Sequence, residues 1–385
     1  MKPAPIHAVV LGAGLMGRLL ACTLAQLGHR VSLYDAGPSD GSGSAARVAA
    51  AMLAPLAESV VAEMPIVRMG QYGLVRWPQL LAELTEPVFF QQTGTLVVWH
   101  RQDAAEATRF GLQIAATQQK LPSLPQAKAL DGKGIQHIEP ALGQRFAQGL
   151  LLPQEGQLDN RQLLAALLLQ LQSPSLSSRA ELFWNTPRLP SDFASDQAGH
   201  FGSTDWLFDC RGLGARVPEN GTPGLQGLTG LRGVRGEVIR VHAPEVTLNR
   251  PLRLIHPRYP LYIAPKQDHV FVIGATEIES DDLSPMSVRS ALELLSAAYS
   301  VHSGFAEGRI LEMATQCRPA LPDNLPSIRW TAPRTLQING LYRHGFLIAP
   351  ALLDMALELM QTGTSALAQQ IGLKPGSNGP TGFSL

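Results

Sequence analysis

Near the start of the chain a mostly apolar, partly β-branched run, Ile6-His7-Ala8-Val9-Val10-Leu11, breaks into Gly12-Ala13-Gly14-Leu15-Met16-Gly17. A helical spacing follows, with Leu15, Leu19, Cys22 and Leu27 near one face. A second apolar run, Val31-Ser32-Leu33-Tyr34, then ends at Asp35. Strand, glycine turn, helix, strand and acid in this order predict a dinucleotide-binding βαβ unit. Gly12 permits the tight turn, Gly14 lets the backbone approach a pyrophosphate, and Gly17 lets helix and strand pack closely. The amides of Leu15 and Met16 would open the helix and face the phosphates. Asp35 would accept hydrogen bonds from ribose hydroxyls, and its charge disfavours the 2′-phosphate of NADP. The residues themselves leave FAD and NAD equally open.

Beyond Asp35, residues 36–44 are loop by composition. The small residues of 45–55 fit a tightly packed helix start or, directly after a dinucleotide fold, a backbone cradle for a flat ring. Spacing predicts helices over 66–84, with a break at Trp77-Pro78, and over 104–119. Strands are predicted at 88–90, 95–99 and 150–152, and loop at 121–134. Asn160 is expected to cap a helix over 161–171. Short strands at 181–184 and 206–210 follow, the second ending in Arg211-Gly212-Leu213-Gly214, a turn of the kind that borders ligands in open α/β sheets. Strands at 236–241, 252–256, 261–264 and 270–273 succeed one another without helices between them, which predicts a mostly antiparallel second domain. A helix over 287–299, a strand at 336–338, a helix over 351–360 and a Gly-, Pro- and Ser-rich tail from Lys374 close the chain. The expected fold is an α/β, Rossmann-like dinucleotide-binding domain (1–85, 145–232 and 308–373) with an inserted α+β substrate domain (86–144 and 233–307) and a flexible tail (374–385).

The chain has 385 residues, 45% hydrophobic and 16% charged, as expected of a well-buried globular protein of two domains. Lys+Arg and Asp+Glu are equal at 31 each, with no dense basic run, so neither nucleic acid nor an anionic membrane is an expected partner. Cys22, Cys210 and Cys317 form neither a metal-binding spacing nor a disulfide framework, which fits a reducing cytoplasm. The N-terminal apolar run is too short and broken for a signal peptide, and no stretch reads as long enough for a transmembrane helix.

Several separated stretches share one resemblance. They are the glycine turn at 12–17, Ala51-Met52-Leu53-Ala54-Pro55, Val234-Arg235-Gly236-Glu237-Val238, and Leu261-Tyr262-Ile263-Ala264-Pro265. Further along come Val272-Ile273-Gly274-Ala275-Thr276-Glu277, Arg318-Pro319-Ala320-Leu321-Pro322-Asp323, and Leu341-Tyr342-Arg343-His344-Gly345-Phe346-Leu347-Ile348-Ala349-Pro350. In this order, over nearly the whole chain, they resemble the D-amino acid oxidase and glycine oxidase group of FAD-dependent oxidoreductases, and within it the glycine oxidases of thiamine biosynthesis. The resemblance implies non-covalent FAD and oxidation of glycine or another small amino acid to the 2-oxo acid and ammonia, by hydride transfer from Cα to the flavin. Dioxygen is the implied acceptor, giving hydrogen peroxide, and homo-oligomerisation stays open.

The resemblance further implies that Arg318 and Tyr262 bind the substrate carboxylate with Arg343 close by, and that Met52 and Glu277 line the pocket. A guanidinium suits this task because it offers paired donors to a carboxylate, and a phenol adds a neutral one. The implied cofactor contacts are Gly12, Ala13, Gly14, Leu15, Met16, Gly17, Asp35, Ala36, Ser44, Ala46, Arg47, Ala50, Ala51, Met52, Arg188, Gly212, Arg343, His344, Gly345, Phe346 and Leu347. The helix starting near Ala351 would aim its positive end at reduced flavin. His256 and His344 are expected to be structural.

The chain departs from the group where Ala45 and Ala46 replace hydroxyl residues, and where Ala314-Thr315-Gln316-Cys317 precedes Arg318. Cys317 resembles the position through which sarcosine oxidases attach flavin, although an inert packed thiol fits the rest of the chain better. Alternatives are a sarcosine oxidase or D-amino acid dehydrogenase of the same fold, an NAD-dependent dehydrogenase, and a non-catalytic flavoprotein partner.

Overall fold

The computed structural model describes residues 5–193, 204–216, 228–255 and 261–373. His256 and the tail from Lys374 lie outside the described residues. Three sheets organise the chain. The first has six strands in the order Ser327–Ala332, Thr335–Asn339, Trp206–Asp209, His7–Leu11, Arg30–Tyr34 and Ala180–Phe183. All its pairings are parallel except that of the first two strands. Ala8, Val9, Val10 and Leu11 are all buried, because a central parallel strand is covered on both faces. The helices Leu15–Gln26, Asn160–Gln172 and Gly345–Thr362 supply one of those covers.

The second sheet has nine strands. In the order Ile278–Glu279, Arg232–His242, Val270–Gly274, Leu261–Pro265, Leu252–Leu254, Thr95–Val98, Gln148–Leu152 and Lys128–Asp131, each pairs with the next, except that Ile278–Glu279 and Val270–Gly274 share one edge of Arg232–His242. Arg309–Ala320 runs along the other edge of Arg232–His242. Only Thr95–Val98 and Leu252–Leu254 pair in parallel. The helix Val288–Val301 packs on this sheet through Leu294, Ala298 and Val301. A small third sheet, Met52–Leu53, Gly156–Leu158 and Phe90–Gln91, ties the two halves together.

Several expectations need correction. Arg309–Ala320 is absent from the sequence reading, because its mixed residues show no clean alternation. It belongs to the second sheet, as does Gln148–Leu152, although the boundaries at 308 and 145 assigned both to the dinucleotide half. The segment read as loop over 121–134 contains the strand Lys128–Asp131 and the start of the helix Gly132–Ile138, capped by Asp131 accepting from the Gly134 amide at 2.7 Å. Asp159, not Asn160, caps the next helix, accepting from the amides of Arg161 and Gln162 at 2.8 and 2.9 Å. Asn160 instead donates to the carbonyls of Ala46 and Arg47 at 2.8 and 2.7 Å, anchoring the small-residue segment.

Two prolines misled the helix boundaries. Met64–Ala82 runs unbroken through Pro78, and the last long helix starts at Gly345 rather than near Ala351. Pro350 cannot donate to the carbonyl four residues back, that of Phe346. Trp77 Nε1 donates to that carbonyl at 2.8 Å instead, so the earlier helix repairs the later one's defect. Gly345–Thr362 lies within the described segment long and apolar enough to cross a membrane, yet Leu352, Leu353, Met355 and Ala356 are fully buried at the centre of the protein core. Its contact with Met64–Ala82 depends on Gly73, where a Cβ would collide with the Leu347 carbonyl oxygen. Gly73→Ala is therefore expected to destabilise the fold by about 1–3 kcal/mol. Thermal unfolding checks this, and an unchanged Tm would refute the close approach.

Candidate active site

A cavity of about 910 Å3 lies at the carboxyl ends of the central parallel strands and extends to the second sheet. This is the position the doubly wound topology offers a ligand. At one end stand Gly12, Ala13, Gly14, Leu15, Met16, Asp35, Ala36, Arg188 and Gly212. Gly12 has φ +89°, and a Cβ there would lie 2.6 Å from the Cys210 carbonyl oxygen, so the turn requires glycine. Gly17 is outside the wall and acts in packing, since a Cβ on it would collide with the Gly12 carbonyl. Asp35 accepts from the amides of Ala13 and Gly37, the latter at 2.7 Å. Sequence reasoning left it open for ribose alone, but it also holds the turn. A carboxylate has about four acceptor sites, so capacity for hydroxyls remains. The Arg188 guanidinium stands over the Tyr34 ring at 5.9 Å.

The middle of the cavity is walled by Ser44, Ala45, Ala46, Val48, Ala49, Ala50, Ala51 and Met52. Only Ala45–Val48 is helical, capped by Ser44 accepting from the Ala46 amide at 3.2 Å. The rest is not helical, and Ala51 turns left-handed at φ +53°. Both readings of the small residues thus meet, a short helix followed by an open backbone. Arg47 does not join this wall. Its guanidinium donates to the Asp40 carbonyl at 3.2 Å, away from the cavity. Lys266, which sequence reasoning missed, holds the segment from behind. Its buried amine donates to the carbonyls of Ala50 and Leu158 at 2.9 and 2.8 Å and to Gln157 at 3.0 Å. Burial lowers its pKa to about 7.

At the far end the structure brings together Tyr262, Arg318, Glu277, Arg343 and Met52. The Arg318 guanidinium lies across Gly236, where a Cβ would collide with it, and donates to the carbonyls of Thr276 at 3.3 Å and Arg235 at 3.4 Å. Among the described residues it has no carboxylate partner. Burial, reinforced by the Arg343 charge, lowers its pKa. The Tyr262 hydroxyl sits close over Gly274, where a Cβ would lie 2.9 Å from it. Burial raises its pKa, which keeps the phenol protonated and able to donate.

Arg343 is placed differently from Arg318. Its Nε pairs with Glu58 Oε2 at 3.1 Å and its Nη1 with Glu277, whose other oxygen accepts from the Tyr342 hydroxyl. Glu58 also pairs with Arg253, while His344 Nδ1 lies 3.4 Å from its Oε2. Burial alone would raise Glu58, but Arg343 and Arg253, with His344, hold its pKa near 2. Burial drives His344 down to about 4, so its ring is neutral at pH 7. Glu58 and Arg253 were missed from sequence, since isolated charges in apolar runs carry no spacing signal. The turn Tyr342–His344 leads into the helix, so Gly345, Phe346 and Leu347 at its N-terminus face the cavity. The sequence reading placed that positive end about one and a half turns too late.

Cys317 precedes Arg318 on one strand, and side chains alternate faces along a strand. Its thiol accordingly points to the carbonyls of Ser280 and Asp282, 3.5 and 3.7 Å away. Burial raises its pKa, which keeps it a thiol. Acid precipitation of the holoprotein is expected to release all flavin into the supernatant. Colour that stays with the pellet and is lost in Cys317→Ser would reverse that assignment.

A glycine-turn dinucleotide cradle at one end and an unpaired guanidinium at the other, with a small-residue wall suited to a flat ring between them, define a flavin-dependent oxidoreductase. The chain belongs to the FAD dependent oxidoreductase family, whose model matches residues 7–358, and FAD is its cofactor. It is 38% identical over 344 residues to a Rhizobium etli protein named as the thiamine biosynthesis oxidoreductase ThiO, covering 89% of this chain and 93% of that one. It is 25% identical over 358 residues to a Trichormus variabilis bifunctional protein ThiO/ThiG, covering 89% of this chain and 50% of that protein's length. A glycine oxidase structure from Geobacillus kaustophilus superimposes with a TM-score of 0.76 at 24% identity, covering 93% of this chain and 95% of that one. At that identity the likeness is one of fold.

Proposed function

We propose that this ThiO-like oxidoreductase oxidises glycine or another small amino acid to the 2-oxo acid, ammonia and hydrogen peroxide, in the thiazole branch of thiamine biosynthesis. The observation that carries the reading is Arg318, a half-buried guanidinium without an acidic partner among the described residues, facing the cavity. A buried charge without a counter-ion is costly, and a substrate carboxylate would relieve it. Bound FAD supplies the two-electron oxidation of an amine and the reaction with dioxygen.

The chain's own residues orient and shield. Arg318 takes the carboxylate through paired N–H donors, and the Tyr262 hydroxyl adds a neutral donor, which fixes Cα over the cavity's middle. Met52 and the small side chains of Ala49, Ala50 and Ala51 before it exclude water there. Among the described residues the histidine that lines the cavity, His344, is buried against Glu58 and is not placed as a base, so the amine must arrive neutral or lose its proton to solvent. The second sheet, including Gln148–Leu152 and Arg309–Ala320, acts as the substrate domain in this reading. The ThiO name of the Rhizobium relative supports the thiamine assignment.

The test is a peroxide assay over glycine, sarcosine, D-alanine and D-proline. Turnover of glycine with release of glyoxylate is the expected result. Turnover of sarcosine alone, or reduction of an artificial acceptor without peroxide, would move the protein to another member of the family.

A further inference from the structure

We propose that the carboxylate end of this cavity selects ligands by charge, accepting one carboxylate and rejecting two, with Glu277 as the residue that sets the limit. This rests on Arg318 being the carboxylate receptor. At that end, among the described residues lining the cavity, the charged groups are the guanidiniums of Arg253, Arg318 and Arg343 and the carboxylates of Glu58 and Glu277. Glu58 pairs with Arg253 and Arg343, and Glu277 pairs with Arg343. A single positive charge is left over, and it resides on Arg318.

One carboxylate cancels that charge. A second would be an uncompensated anion facing the Glu277 carboxylate, and like charges in contact repel, the more so where protein displaces part of the water. The Glu277 side chain is 39% exposed, yet it is held in place at the cavity mouth. It lies just beyond the strand Val270–Gly274 and is fastened to the turn after Thr335–Asn339, through the Tyr342 hydroxyl and the Arg343 guanidinium. Its charge therefore stays at the cavity wall. Glu58 is unsuited to this role, because it is committed to two guanidiniums, those of Arg253 and Arg343.

Glu277→Gln keeps the side chain's shape and an acceptor for Tyr342 while removing the charge, leaving the site with a second positive charge to satisfy. The experiment titrates the holoenzyme at pH 7 with oxamate and oxalate, which share a shape but carry one and two negative charges. Binding is read by perturbation of the flavin spectrum and, separately, by the ligand-induced rise in Tm.

The wild-type protein should bind oxamate at least about tenfold more tightly than oxalate, and Glu277→Gln should narrow that ratio by about tenfold. Glu277→Asp should retain the preference. Equal affinities in the wild type, or the same ratio in Glu277→Gln, would overturn the proposal. A purely structural role for Glu277 gives the latter result, because both ligands then weaken in parallel. Failure of the underlying reading looks different: oxamate does not bind, or Arg318→Leu leaves the affinity for both ligands unchanged.

Discussion

Arg318→Leu should lower kcat/KM for a small amino acid by about 30- to 1000-fold, corresponding to roughly 2–4 kcal/mol of transition-state binding. The guanidinium is held by backbone carbonyls rather than by a carboxylate, so its removal breaks no ion pair. Leucine fills part of the space and relieves a desolvated charge, and the fold should tolerate it. Flavin content and Tm should therefore stay close to wild type while turnover collapses. An amine of similar size without a carboxylate should lose much less. Equal losses on both substrates would make Arg318 part of the scaffold.

Glu58→Gln should behave in the opposite way, with the larger effect on stability. Glu58 compensates Arg253, which is buried, and Arg343, which is half-buried. Removing the shared partner of a buried ion pair typically costs about 3–5 kcal/mol, because the remaining charges are left uncompensated. Denaturant unfolding measures the loss, and a change under about 1 kcal/mol would refute the network.

The same cluster sets the acid limb of stability. The folded pKa of His344, near 4, lies below its ordinary value of 6.5, so the unfolded chain binds the proton more tightly. Its contribution is present above about pH 6.5 and fades as pH falls toward 4. The folded pKa of Glu58, near 2, lies below its ordinary 4.5, so its contribution fades between those two values. His344→Asn should flatten the Tm profile between pH 6.5 and 4 while leaving the steeper fall below it.

The dinucleotide half was legible because its signals are local. A β-branched run, a glycine turn and an acid at fixed spacing report one supersecondary unit, and Gly12, Gly14, Gly17 and Asp35 stand where that unit puts them. Residues of the far end, Tyr262, Arg318, Glu277 and Arg343, came from ordered resemblance, since each sits on a different segment and no spacing links them. The structure shows that they share one cavity.

What those residues do to one another was decided by tertiary structure alone. Arg318 and Arg343 are the same residue type, yet among the described residues one lacks an acidic partner and the other lies between Glu58 and Glu277. Sequence cannot distinguish them, because charge compensation is a property of neighbours brought together from distant positions. The strand Arg309–Ala320 was invisible for a related reason, since its partner Arg232–His242, not its own pattern, makes it a strand. The helix start at Gly345 was hidden by Pro350, whose local rule Trp77 overrides by donating to Phe346, 269 positions away. Local propensity thus determined the class of fold and the cofactor's cradle, and long-range packing determined which charges remain available for chemistry.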